Sequence, residues 1–224
     1  MRTAVFLQAR LSSQRLPHKI LLNLGGRTVL EQSMLRLNSV QADYHVVLTD
    51  KDSFTIVRDI AFKAGWGSFK GPGNDVLARY IFAARHYGVD IIVRATADNP
   101  LVSFELANVL IESQFTDSVD YRSHIELPYG AGVEIIRTSA LEKAFSETQL
   151  LSDHEHVTPY VYNNPDRFTV RREQAPPQFA NPDLRITLDN EEDYRFLCSL
   201  YRNYGLKQST PLSDLLEKMY SVMV

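Results

Sequence analysis

Two arginines and a lysine, Arg10, Arg15 and Lys19, fall close together in residues 8–26, QARLSSQRLPHKILLNLGG, with the hydroxyls of Ser12 and Ser13 between them. A polyphosphate is the ligand that such a lining suits. Guanidinium forks take phosphate oxygens two at a time, an ammonium acts as a point charge, and hydroxyls and loop amides complete the shell. A solvated basic loop is the competing reading of the same charges. A Walker-type phosphate loop is excluded, because Gly25-Gly26-Arg27-Thr28 has neither the upstream glycine spacing nor the lysine.

Two carboxylates stand at places where a cation could be held. Asp98, in residues 93–101 (VRATADNPL), follows an apolar run and precedes a turn set by Pro100, and an acid there can hold a nucleotide-bound magnesium. Asp-Asn-Pro is equally a turn composition. Asp189, in residues 185–194 (RITLDNEEDY), can serve as a second ligand or as the cap of the helix that follows, with Glu192 three residues on; Asn190 could cap instead and free Asp189. His154 and His156 lie two apart, which points them in different directions on a helix and argues against zinc. Gly71-Pro72-Gly73 and Gly130-Ala131-Gly132 lack the third glycine of a dinucleotide fingerprint.

Residues 8–19 resemble the signature Q/P-A-R-x-x-S-x-R-L-P-x-K of the cytidylyltransferase family that includes the CMP-sugar-acid synthetases and the spore-coat polysaccharide biosynthesis protein F group. Residues 93–101 resemble its R-x-T-A/G-D-x-P-L, with Asn99 where many relatives have Cys, and residues 185–193 its L-T-V-D-T-P-E-D. Residues 75–80 (DVLARY) and 155–160 (EHVTPY) are similar to further family blocks. The resemblance implies a three-layer αβα nucleotide-diphospho-sugar transferase fold with a mixed, mostly parallel sheet. It also implies Mg²⁺-dependent transfer of CMP from CTP to a sugar or sugar acid, with pyrophosphate released, by an enzyme that is commonly a homodimer. Arg10, Arg15, Lys19 and Asp98 become the expected catalytic residues, and Asp98 and Asp189 the metal ligands. Around the nucleotide it places Gln8, Ala9, Ser12 and Ser13, then Asp75, Arg79, Arg94 and Thr96; around the acceptor, Glu134, Glu155 and His156. Asp75 could instead be a helix cap, and Arg79 a solvated arm. One departure is Gly132, where relatives often carry an acid two residues before the retained glutamate. A glycosyltransferase using Asp50-Lys51-Asp52 as its metal motif, and a non-catalytic nucleotide-binding scaffold, are the rival readings.

The elements needed to position these residues alternate. Residues 3–8, 44–49, 67–70 and 90–96 read as strands, separated by helices at 28–37, 53–64 and 75–87 and followed by one at 103–114. Thr28 and Glu31 form a capping box at the first helix. The second half is less regular: strands near 118–123 and 133–137, a helix after Thr138, and another opened by a second capping box, Ser152 with Glu155, and kinked at Pro159. Strands near 168–172 and 185–188, an exposed loop over 174–182, and helices at 191–204 and 211–220 complete a single domain spanning 1–224. Cys198, on an apolar stripe with Tyr194, Leu197 and Tyr201, is expected to be a buried structural thiol.

Composition fits an ordinary globular chain, 44% hydrophobic and 23% charged, large enough to bury a core without disulfides. The net charge of -3 and the absence of Lys/Arg runs argue against a nucleic-acid partner. No apolar stretch reaches the roughly 20 residues of a membrane span, and the lone cysteine fits a reducing compartment, so a cytoplasmic location is expected.

Overall fold

In the computed structural model, which describes residues 1–222, the alternating pattern becomes a seven-stranded sheet in the order β5-β4-β1-β6-β8-β7-β9. β1 (Thr3–Gln8) leads through a loop and a short 3₁₀ turn (Lys19–Leu21) to a small hairpin, β2 (Asn23–Leu24) and β3 (Arg27–Thr28). Then follow α1 (Val29–Leu37), β4 (Tyr44–Thr49), α2 (Phe54–Lys63), β5 (Gly67–Lys70), α3 (Val76–Tyr87), β6 (Ile91–Thr96) and α4 (Phe104–Thr116). β1 pairs in parallel with β4 and β6, so that Gln8 lies opposite Leu48 on one side and Thr96 on the other.

The side-chain period of two in β1 divides the core. Val5 and Leu7 pack with Leu30, Met34 and Leu110 on one face, Ala4 and Phe6 with Leu77, Tyr80 and Leu141 on the other, and the β1 residues from Ala4 to Leu7 are wholly buried. Near-continuous apolar strands of this kind require helices on both faces, which gives the three layers. Truncating Phe6 to Ala would cost about 3–5 kcal/mol.

The second half contains β7 (Tyr121–Ile125), β8 (Glu134–Arg137), α5 (Thr138–Glu147), α6 (Leu151–His156), α7 (Pro159–Tyr162), β9 (Val170–Gln174), α8 (Glu191–Tyr204) and α9 (Leu212–Val222). β8 runs antiparallel to both β6 and β7, making the sheet mixed. A third core cluster, with Leu188, Leu197 and Leu215, anchors α8 and α9 over the loops that follow β6.

Local chemistry accounts for agreements and departures alike. The Thr28 capping box forms, with the Glu31 amide 3.2 Å from the Thr28 hydroxyl and the Thr28 amide 2.7 Å from the Glu31 carboxylate. The second box does not. α6 begins at Leu151 without a side-chain cap, because Thr148 accepts from the Leu150 amide and donates to Asp153 at 2.6 Å. The expected kink at Pro159 is a full break: α6 ends at His156, Val157 adopts φ 76, and the proline opens α7, where its missing N–H costs nothing. Residues 185–188 make only a single bridge, Tyr129 to Arg185, since the partner segment turns away at Gly130 (φ 99). The segment expected as an exposed loop starts within β9 and buries Ala175 and Phe179. Cys198 is half-buried rather than buried. Of the span 1–224, the last two residues lie outside the described residues.

Candidate functional site

Parallel strands deliver their carboxyl ends, and the loops after them, to one edge of the sheet, where a crevice forms. After Gln8, the chain crosses that edge as the loop 9–18, tied down by the Ala9 amide on the Leu48 carbonyl (3.0 Å) and the Leu11 amide on the Ser53 hydroxyl (2.9 Å). Ser13 donates its hydroxyl to the Leu16 carbonyl, and His18, at φ 54, swings the chain into the turn that carries Lys19. The cleft so bounded, about 830 Å³, is lined by Gln8, Ala9, Arg10, Ser12, Ser13, Arg15 and Lys19 from this loop. Thr96, Asp98, Glu155 and Asp189 face them.

Asp98 is fixed by its backbone, its carbonyl accepting from the Leu188 amide at 2.8 Å. Asn190 takes the cap of α8 in a capping box with Asp193, which leaves Asp189 free of that duty. Lys19 lies between the two acids, its Nζ 2.7 Å from Asp98 Oδ2, 2.9 Å from Asp189 Oδ1 and 2.7 Å from the Leu188 carbonyl. Burial opposes the Lys19 charge, but Asp98 and Asp189 outweigh it and raise its pKa. Asp189 is pulled down: burial works against its charge, while Lys19, Arg185 and Arg15 favour it more strongly. Arg15 reaches Asp189 at 3.3 Å from an exposed position, and Arg10 pairs with Glu155 at 3.4 Å across the mouth. Three oxygens, two of them anionic, thus converge on one cationic point. Hard oxygen donors of this kind fit Mg²⁺ or Mn²⁺, whose remaining positions substrate phosphates and water would fill.

Two smaller clefts continue from the first. One of about 370 Å³ shares Gln8, Arg10, Thr96, Asp98, Glu155 and Asp189 with it and adds His156, Tyr129 and Gly132. The other, about 440 Å³, runs on past Tyr129 to Ser123, His124 and Arg172. Glu134 lines the second of these, and Arg94, which borders both, pairs with it rather than facing a ligand freely. The Tyr121 hydroxyl (2.7 Å) and the Thr158 hydroxyl (2.9 Å) also donate to Glu134. Burial pushes the neighbouring Tyr80 phenol up to about 12. Gly132 borders both clefts at an ordinary φ, and a Cβ there would meet only Leu127 Cδ1, at 3.2 Å.

Two expected nucleotide residues lie elsewhere. Arg79 is neither a solvated arm nor a wall of these clefts. It is wholly buried, donating to the Pro72 carbonyl (2.9 and 2.6 Å) and the Gly73 carbonyl (2.9 Å), and Gly71 passes so close that a Cβ would lie 2.5 Å from Arg79 Cγ. Asp75 caps α3 through the Ala78 amide (2.8 Å) and holds His154 Nδ1 at 2.9 Å. Asp50, from the rival metal motif, caps the Ser53 amide at 2.8 Å, and neither it nor Asp52 lines the clefts.

Arg185 had no role in the sequence reading. Its guanidinium holds Asp189 and Asp193, at 2.8 Å for the latter, and lies 4.9 Å from the centre of the Tyr129 ring. The signal was the Arg-to-Asp spacing of four within residues 185–189. Nothing in the sequence pairs Arg10 with Glu155, or Tyr121 and Thr158 with Glu134, because each pair joins segments far apart in the chain.

A family model described as cytidylyltransferase matches residues 4–218. The spore coat polysaccharide biosynthesis protein SpsF of Bacillus subtilis strain 168 is 33% identical over 218 residues, covering 94% of this chain and 90% of its own. The structure of a cytidylyltransferase from Leptospira borgpetersenii serovar Hardjo-bovis matches with a TM-score of 0.92 and 31% identity, over 100% of this chain and 95% of that one. A CMP:2-keto-3-deoxy-manno-octonic acid synthetase solved with CTP has the same fold at TM-score 0.74 and 13% identity, over 91% and 100%. The matched region contains the basic loop, Asp98 and Asp189, and the chain belongs to the cytidylyltransferase family.

Proposed function

We propose that the protein transfers CMP from CTP to a sugar or sugar acid for polysaccharide biosynthesis, releasing pyrophosphate, as a Mg²⁺-dependent enzyme. The observation that carries this reading is the meeting of Arg10, Arg15 and Lys19 with Asp98 and Asp189 at one end of the sheet, in a cleft of about 830 Å³. The names of SpsF and of the synthetase solved with CTP support the substrate class.

In this reading the triphosphate lies along the loop 9–18, with Arg10, Arg15, Ser12 and Lys19 on its β- and γ-oxygens and Gln8 and Thr96 near the α-phosphate. A sugar hydroxyl enters from the Tyr129 side and attacks the α-phosphorus in line. Pyrophosphate departs toward the arginines, whose fixed charge stabilises the developing negative charge. Held by Asp98 and Asp189, the metal would polarise the phosphates and lower the pKa of the attacking hydroxyl. Glu134, held by three donors, shapes the acceptor wall, and the proton of the attacking hydroxyl passes to water. The whole chain acts as one nucleotidyltransferase domain, and we extend the reading to a cytoplasmic homodimer, which sedimentation equilibrium tests.

Calorimetric titration with CTP, UTP, ATP and GTP, each with and without Mg²⁺, tests the assignment. Selective CTP binding strengthened by Mg²⁺ is expected. Tighter binding of a nucleotide sugar than of any triphosphate would instead select a glycosyltransferase, and CTP binding without pyrophosphate release across an acceptor panel a scaffold.

A further inference from the structure

All three N–H donors of Lys19 are engaged, on Asp98, on Asp189 and on the Leu188 carbonyl, in a side chain only 13% exposed. A lysine ammonium has three donors and no more. In this state it has none left for a phosphate, although it lines the cleft that a triphosphate would fill. Mg²⁺ held by both acids would take one oxygen of each at about 2.0–2.1 Å, and because Arg185 already occupies Asp189 Oδ2, the oxygen left on Asp189 is the Oδ1 that Lys19 holds. Ammonium and metal cannot share that space, because both would lie within roughly 3 Å of the same oxygens and repel each other strongly at such a separation.

We propose that Lys19 is an internal counter-cation: its ammonium holds Asp98 and Asp189 together in the free enzyme, and a divalent cation entering with the nucleotide displaces it onto the triphosphate. The exchange rests on the metal reading above. It balances charge at each stage, since the two acids are never left facing each other without a cation between them. Loading is then cooperative. Metal alone must compete with a tethered ammonium that has nowhere better to go, whereas metal arriving with phosphates provides the ammonium with a new anionic partner. The surrounding cations do not substitute for Lys19: Arg185 binds Asp189 through its other oxygen, and Arg15 reaches Asp189 from an exposed position and does not contact Asp98.

Mn²⁺ binding, followed by the loss of the free-ion electron paramagnetic resonance signal, tests the exchange without any turnover. In the absence of nucleotide, Lys19→Met is expected to bind Mn²⁺ at least about tenfold more tightly than wild type, because the competing charge is gone. CTP should tighten Mn²⁺ binding markedly in wild type and much less in the variant. Equal Mn²⁺ affinity of Lys19→Met and wild type without nucleotide would overturn the exchange. Lys19→Gln, which keeps a donor for one carboxylate but no charge, gives the same comparison should the methionine variant fail to fold. Asp98→Asn separates the two layers of the argument. If it loses Mn²⁺ while Lys19→Met gains nothing, only the exchange falls; if it retains wild-type Mn²⁺ affinity with CTP, the metal reading falls and takes the exchange with it.

Discussion

On the loop side of the cleft, the acids that face the cavity are each held by a cation from a distant part of the chain: Asp98 by Lys19, Asp189 by Lys19 and Arg15, with Arg185 adding a local hold, and Glu155 by Arg10. On the β7 and β8 side, Glu134 is held by Arg94, Tyr121 and Thr158, all packed into the body of the protein. The two arrangements differ in the exposure of their arginines, whereas Lys19, at 13%, is as enclosed as the Arg94–Glu134 pair. Arg10 and Arg15 leave 43% and 68% of their side chains in solvent, against 17% for Arg94 and 19% for Glu134. Exposed pairs are worth about 0–1 kcal/mol and can be traded cheaply for a ligand's charge. A buried pair that loses one member costs about 3–5 kcal/mol. The arginines of the loop side can therefore change partners cheaply, Lys19 only when another cation replaces it between Asp98 and Asp189, and the acceptor side is built to stay as it is.

Removing one acid from each side should separate the two behaviours. Asp98→Asn is expected to lower turnover by about a hundredfold to a thousandfold, the usual scale for losing an electrostatic element at a reacting centre. Its melting temperature should move little. Glu134→Ala is expected to act chiefly on stability, leaving Arg94 buried without a counter-charge and lowering the melting temperature by on the order of 10 °C. Glu134→Gln, which still accepts from Tyr121 and Thr158, should recover part of that loss. Calorimetric melts beside steady-state assays decide the matter. An Asp98→Asn protein that melts as early as Glu134→Ala would mean that both sides are structural.

The same contrast governs what could be read in the sequence. The loop side is written in short runs: charges and hydroxyls within residues 8–19, an acid after each of two late strand-like stretches, and a competing cap at Asn190 that does free Asp189. Alternating strands and helices were equally legible in the first half, where one apolar run follows another and β1, β4, β5 and β6 pair in parallel, though the small β2–β3 hairpin was not. Legibility failed where a partner distant in sequence captured a residue. Glu155 reads locally as half of a capping box, but Thr148 satisfies that turn and Glu155 reaches across to Arg10. Arg79 reads as a cation for phosphate, yet the carbonyls of Pro72 and Gly73 claim it. Residues 185–188 have the composition of a strand, but a strand needs a straight neighbour and Gly130 supplies a bend. Glu134 reads as a substrate-binding residue from its motif, while its three donors, Arg94, Tyr121 and Thr158, come from other segments and carry no local signal.

The smallest expected effect lies where the two sides join. α6 carries Glu155 into the cleft, and His154 on the same helix ties it to α3, with Nδ1 2.9 Å from Asp75 and Nε2 3.3 Å from the Thr148 carbonyl. Burial works against the imidazolium, but the Asp75 hydrogen bond, the Thr148 carbonyl and the charges of Asp75 and Asp153 outweigh it and raise the pKa above the ordinary 6.5. A group whose folded pKa is raised stabilises the fold fully below its unfolded pKa, and that contribution disappears as pH rises through the folded value. The wild-type advantage over His154→Gln should therefore be larger at pH 6 than at pH 8.5, by no more than about 1 kcal/mol for a pair this close to solvent. Paired thermal melts at the two pH values measure it. An advantage that does not change with pH would show that His154 holds α6 as a neutral hydrogen-bonding ring, and that the seam between the exchanging and the fixed side does not depend on a titrating charge.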